Sequence, residues 1–178
     1  DRLVQRLLAA DQTGAWKVIE AAQLSGMPIG GVYTDMITPS LQHIGEQWHQ
    51  GNISIAQEHA ATQVATRLVS RLSAQISRRG VSKGTVVIGT PSTELHGLPV
   101  MIAADLIRIE GFDVLDLGSN LPADSFADIV AGQQRLVAVA VSVTAPGQVD
   151  QIAETIAAIR GRVEAPIFLG GAAIDGDQ

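Results

Sequence analysis

A histidine beside a carboxylate in a strand-to-helix loop can bind a metal, and the run Glu94-Leu95-His96-Gly97-Leu98-Pro99 provides that pair. One ring nitrogen can ligate while a carboxylate two residues away holds the other and sets the tautomer. The plainer alternative is a loop histidine that only hydrogen-bonds locally. Ser142-Val143-Thr144 adds two hydroxyls, and Gly170-Gly171 would let a ligand approach the backbone closely, or would simply make a turn. A second set is Trp48-His49 followed by Glu58-His59 across a tight reversal, which should bring these four residues close in space. Counting back from Ala61, Ala65 and Leu72 puts Glu58 on an apolar helix side. A carboxylate there costs on the order of several kcal/mol unless it is hydrogen-bonded, which points to a polar ligand or partner. His59 falls off that stripe. Trp48 has core filling as its alternative, and His49 a surface place near a helix end, favourable to the dipole.

Two kinds of element must position these groups. The first eighty residues read as helices. Leu3, Val4, Leu7 and Leu8 open one, and Thr13 can cap a second that carries Trp16, Ile19 and Ala22 and stops near Ser25-Gly26. Pro28 suits the first turn of a third, in which Ile37, Leu41, Ile44 and Trp48 form one stripe and Pro39 predicts a kink or break. Gly51-Asn52 ends it. A fourth runs from about Ser54 to Ser77, with Ala61, Val64, Ala65, Leu68, Val69, Leu72 and Ile76 on one side. Four helices with short connections predict an antiparallel bundle over residues 1–80.

After the linker Arg78–Gly84 the rhythm changes. The apolar runs Thr85–Ile88, Phe112–Leu117, Leu136–Val143 and Pro166–Leu169 alternate with helical segments at Leu98–Glu110, Ala123–Ala131 and Gln148–Arg160. That alternation predicts a parallel sheet covered on both faces over residues 84–178, flavodoxin-like with order 2-1-3-4. In such a sheet the loops after strands one, three and four share the carboxyl edge, where ligands bind. A fifth strand and helix would normally follow, so the sequence is expected to end early, at Ile174–Gln178.

Composition narrows the chemistry. No cysteine occurs among the 178 residues, which excludes disulfides, thiolate metal sites and thiol nucleophiles. No apolar run is long enough to span a bilayer and the start lacks a signal pattern, so residence in the cytoplasm without membrane contact is expected. The net charge of −6 disfavours direct binding of nucleic acid. The basic group Arg67, Arg71, Arg78, Arg79 and Lys83 reads as a solvated face with a linker.

Together the two sets resemble one family. The strand–Glu94-x-His96-x-x-Pro99–helix unit, Ser142-x-Thr144 and Gly170-Gly171 resemble the cobalamin-binding domain, whose pattern is Asp-x-His-x-x-Gly, Ser-x-Leu or Ser-x-Thr, then Gly-Gly. The sequence departs from it with Glu at 94 and Pro at 99. The helical half resembles the cap over the upper face of the corrin, and Trp48-His49 with Glu58-His59 is similar to the cap of light-sensing cobalamin receptors of the CarH type. The resemblance implies a base-off cobalamin with His96 below cobalt, Glu94 fixing its tautomer, and the nucleotide tail beside Ser142, Thr144, Gly170 and Gly171. It implies adenosylcobalamin as the upper form, with Trp48 packed on the adenosyl group, Glu58 hydrogen-bonded to it and His59 nearby. After photolysis His49 would become the second axial ligand and displace the bundle. A non-enzymatic switch follows, acting through a homo-oligomer or a signalling partner, with room for a bilin held non-covalently.

Two other readings compete. A corrinoid carrier of a methyltransferase system would share His96 and the loops around it, usually with apolar residues above the methyl group. A phospho-receiver or similar binding module needs an acidic cluster after the first strand and an aspartate after the third. Pro91-Ser92-Thr93 and Ser142-Val143 stand in those places.

Overall fold

A computed structural model describes residues 2–77 and 80–174. Arg78 and Arg79, in the expected linker and basic group, and the terminal 175–178 lie outside the described residues. The chain divides into two compact units, Asp1–Ser77 and Arg78–Gln178.

The first unit is helical: α1 (Arg2–Leu8), α2 (Gln12–Leu24), α3 (Ile29–Gly31), a π-helical segment (Val32–Ile37), α4 (Thr38–His49) and α5 (Ile55–Ser73). Helix α1 packs on α2, α4 and α5. Leu7, Ile19, Val32, Tyr33, Ile37 and Leu72 are fully buried among them. The spacing of apolar residues accounts for these helices, but three local expectations change. Asp11, not Thr13, caps α2: its carboxylate accepts from Gly14 N at 2.8 Å, so the helix opens one residue before Thr13. Pro39 neither breaks nor ends the third helix. The backbone stays helical from Gly31 through Thr38, and the disturbance is the wide π-helical turn just before the proline. A proline lacks an N–H, and a π segment absorbs such a missing bond. Helix α5 ends at Ser73 rather than near Ser77, where bonds from Gln75 N to Leu72 O and Ile76 N to Ser73 O tighten the chain into a closing turn. Its start is secured by a reciprocal capping box between Ser54 and Gln57.

The second unit alternates strand and helix: β1 (Thr85–Gly89), α6 (Gly97–Ile109), β2 (Asp113–Asp116), α7 (Ala123–Ala131), β3 (Leu136–Ser142), α8 (Val149–Arg160) and β4 (Ile167–Gly170). All pairings are parallel and the order is β2-β1-β3-β4, the expected doubly wound arrangement. Successive strand residues point to opposite faces. Val87, Val139 and Val141 therefore meet Phe126, Val130 and Ile159 of α7 and α8, while Ile88 meets Val100 and Ala104 of α6 on the other face. Parallel pairing sends the carboxyl ends of all four strands to one edge. That edge carries the loops that hold the candidate residues.

Candidate functional site

Glu94 is the centre of the arrangement. It lies in the β1–α6 loop and is fully buried. Its Oε1 accepts from His96 N at 3.0 Å and from His96 Nδ1 at 2.5 Å. Its Oε2 accepts from the backbone N–H groups of Thr144 and Ala145, both at 2.7 Å. Burial pushes this carboxyl up. The bonds from Ala145 N, His96 N, His96 Nδ1 and Thr144 N outweigh that push, and the net displacement is below the ordinary glutamate value. An ionised carboxylate is thus stabilised inside the fold, and its second oxygen ties the β1–α6 loop to the β3–α8 loop.

That geometry settles what His96 can offer. Its Nδ1 is committed to Glu94, and its side chain is 57% exposed. With Nδ1–H donating, Nε2 keeps its lone pair and is the atom left to ligate. Helix α6 starts at Gly97 directly behind His96. Pro99 falls in that helix's first turn, where a missing N–H breaks no intrahelical bond. The departure from glycine at this position therefore leaves the helix start intact.

The other two loops join at the same edge. Ser142, the last residue of β3, is buried and pairs with Gly170 at the end of β4. Val143 N donates to Gly170 O at 2.8 Å. Gly171 has φ +112°, and a Cβ there would lie 2.2 Å from Val143 O. Only glycine fits that approach. Gly170 differs, since nothing lies within 4 Å of a Cβ built on it. The double glycine therefore has one position demanded by backbone packing and one open to the surface. Thr144 contributes its backbone N–H to Glu94 rather than only a hydroxyl.

In the helical unit the second set is paired two by two. Trp48 is 39% exposed rather than core, with its ring centroid 4.7 Å from that of His49. Glu58 is part-buried as the helical count predicts, but its needs are met inside α5. Its Oε1 accepts from Thr62 Oγ1 at 2.8 Å, and its Oε2 lies 2.6 Å from His59 Nδ1. Its burial therefore demands no further ligand. His59 is exposed, off the stripe as expected. Among the basic residues, Arg71 stacks over the Trp16 ring at 3.7 Å and Arg67 donates to Gln12, so both are engaged rather than merely solvated.

Sequence reasoning missed several groups that hold the site together: Thr90, Thr93, Asn120 and Gln148, with the backbone N–H of Ala145. Asn120 in the β2–α7 loop had a signal, since asparagine after Gly118-Ser119 suits a left-handed turn. Its connection to the β1–α6 loop had none. Among the described residues no cluster of three or more His, Asp or Glu could hold a metal ion unaided. No helix among the described residues is long and apolar enough to cross a membrane.

Comparison with known proteins bears on the family and the cofactor class. The description "B12 binding domain" applies to two family models, one matching residues 1–73 and the other residues 84–178. Trimethylamine corrinoid protein 1 of Methanosarcina mazei is 30% identical over 147 residues, covering 79% of this chain and 67% of that protein. Its counterpart in Methanosarcina acetivorans is 30% identical over 66% of this chain and 56% of its own length. The HTH-type transcriptional repressor CarH of Myxococcus xanthus is 30% identical over 96% of this chain and 56% of that protein. The chain thus spans little more than half the length of two of these relatives. The solved structure of the Methanosarcina barkeri monomethylamine corrinoid protein superposes with a TM-score of 0.77 at 16% identity, over 99% of this chain and 85% of that one, a likeness of fold. The chain belongs to the B12-binding domain family and binds a cobalamin or related corrinoid.

Proposed function

We propose that in this B12-binding chain His96 is the protein ligand below cobalt and that the module carries a corrin-bound methyl group for a partner methyltransferase. The observation that supports the ligand assignment is the Glu94–His96 pair: Nδ1 held at 2.5 Å by a fully buried carboxylate, with Nε2 left for a metal. The residues fit the group. Glu94 fixes tautomer and raises ligand basicity, as outer-shell carboxylates do. Ser142, Thr144, Gly170 and Gly171 at the same sheet edge would receive the nucleotide tail, with Gly170 open for close approach. A bound cobalamin supplies a cobalt–carbon bond, which can hand on an alkyl group or be cleaved by light. The chain's own part is to bind, to orient and to set the lower ligand. On this reading it is not itself the methyltransferase, and its partner is the protein that donates or accepts the methyl group. Support for carriage comes from the trimethylamine corrinoid proteins, matched at 30% identity.

A second reading is light sensing with adenosylcobalamin, working through oligomer state or a signalling partner. It is favoured by the set Trp48, His49, Glu58 and His59, exposed but for the part-buried Glu58, and by the match to CarH along 96% of the chain. On that reading these four residues serve the adenosyl side of the cofactor.

One set of spectra separates the readings. The protein is loaded in the dark with methylcobalamin or adenosylcobalamin, then offered a thiol acceptor with a methyltransferase, or exposed to green light. Methyl transfer to the thiol, with no light-dependent change of oligomer state or partner binding, is expected for carriage. Slow dark loss and fast green-light loss of adenosyl, accompanied by such a change, would replace carriage with sensing. A protein that stays colourless with every cobalamin would overturn both. A His96→Ala protein with an unchanged lower-ligand spectrum would refute the ligand assignment.

A further inference from the structure

The β2–α7 loop lies against the loop that bears His96, and its Asn120 makes contacts between them. Asn120 has φ +61° and Thr93, opposite it, has φ +71°. Left-handed backbone is tolerated by asparagine but is unusual for a β-branched threonine, and it persists only where the surroundings impose it. Here they do. Asn120 Oδ1 accepts from Thr93 N at 2.9 Å, and Asn120 N donates to Glu94 O at 2.9 Å and to Thr90 Oγ1 at 2.8 Å. The buried Thr90 hydroxyl in turn donates to Glu94 O at 2.9 Å. Thr93 Oγ1 donates to Gln148 Oε1 at 2.8 Å, in the β3–α8 connection. One asparagine therefore grips residues 93 and 94 from both sides. It uses its side-chain oxygen on one and its backbone N–H on the other.

The consequence falls on His96. The Glu94 carboxylate is fixed at one end by Thr144 and Ala145 and holds the imidazole at the other. That carboxylate spans both contacts only while the Glu94 backbone stays where Asn120 and Thr90 hold it. We propose that Asn120 is a positioning residue for the metal ligand: it clamps the Thr93–Glu94 backbone so that Glu94 keeps His96 Nδ1–H and leaves Nε2 aimed outward. This rests on the reading of His96 as cobalt's lower ligand.

Two substitutions separate the clamp from the backbone shape. Asn120→Gly keeps the left-handed conformation and removes the acceptor for Thr93 N. Asn120→Asp keeps both. In the full chain without cofactor, nitrogen NMR of the His96 ring should show the Nδ1–H form in the unsubstituted and Asn120→Asp proteins and a mixture of forms in Asn120→Gly. Hydroxocobalamin titration should show binding about three- to tenfold weaker for Asn120→Gly, less than the roughly ten- to hundredfold that loss of a direct outer-shell partner costs. Reduced to the cob(II)alamin form, its electron paramagnetic resonance spectrum should show a smaller histidine-bound fraction. Recovery in Asn120→Asp would tie the effect to the acceptor. An Asn120→Gly protein that matches the unsubstituted chain in ring tautomer and affinity, while His96→Ala loses both affinity and the histidine signature, would overturn the role of Asn120 alone. A His96→Ala protein that binds hydroxocobalamin with the unsubstituted spectrum would overturn the ligand reading and the role of Asn120 with it.

Discussion

Among the described residues two glutamate–histidine pairs occur, and they are alike at the level of the hydrogen bond. Glu94 meets His96 Nδ1 at 2.5 Å and Glu58 meets His59 Nδ1 at 2.6 Å. Their surroundings separate them. The Glu94 side chain is wholly buried and receives two backbone N–H groups from a loop fifty residues away. The Glu58 side chain is 23% exposed, and its other partner, Thr62, is one turn along the same helix. One pair is held by tertiary structure and the other by helical spacing alone. An exposed local ion pair contributes little and is easily rearranged, whereas a buried carboxylate with every bond made is costly to disturb. The difference separates a histidine held in one orientation from one on an adaptable surface.

The largest test of that contrast removes each carboxylate. Glu94→Ala would leave the N–H groups of Thr144, Ala145 and His96 without their acceptor and should destabilise the chain by about 2–5 kcal/mol. Glu58→Ala should cost no more than about 0.5–1 kcal/mol. Denaturant midpoints would measure both, and equal losses would erase the distinction between the pairs. Next in size is the double glycine. Gly171→Ala forces a Cβ against Val143 O in left-handed backbone, with an expected loss of about 2–4 kcal/mol, while Gly170→Ala should stay within about 0.5 kcal/mol. Thermal melts of the two variants would check this, and a mild Gly171→Ala would mean that the β3 and β4 loops part easily. The smallest effect concerns a purely local group. The Asp11 carboxyl is held below the ordinary aspartate value of 3.8, first by the bond from Gly14 N and then, against the pull of desolvation, by Arg6. A carboxyl depressed on folding adds stability above its unfolded value and loses it as pH falls through its folded value. Asp11→Asn should therefore flatten the fall in stability below about pH 4, in acid titrations followed by circular dichroism. An unchanged acid limb would remove Asp11 from the account.

The fold was legible because its signals are periodic. Continuous apolar runs marked β1 to β4, and helical spacing marked α5 and α6 to within a few residues. The order β2-β1-β3-β4 is the one expected of a flavodoxin-like sheet. What misled were short-range choices between near-equivalent groups. Asp11 and Thr13 both suit a cap, and Pro39 can be absorbed by a π turn as well as by a break. At the site, Glu94, His96, Ser142, Thr144, Gly170 and Gly171 could be singled out from residue type and from the edge that parallel strands must share. Glu58 was placed on its helix face correctly, yet the inference of a missing partner failed because Thr62 and His59 already meet it.

From its own pattern the sequence determined two units, a parallel sheet, the edge its carboxyl ends share and the histidine that stands there. Periodicity and residue chemistry act over a few positions, and those features need nothing more. Tertiary structure alone decided which carboxylate is buried and ionised, that Thr144 and Ala145 serve it through their backbone, and that Asn120 clamps the loop. It also decided that Gly171 rather than Gly170 is the one packing demands. Those facts depend on backbone groups meeting across tens of residues, and every residue type carries the same backbone N–H and C=O, proline's missing N–H apart. Side-chain identity therefore cannot announce them.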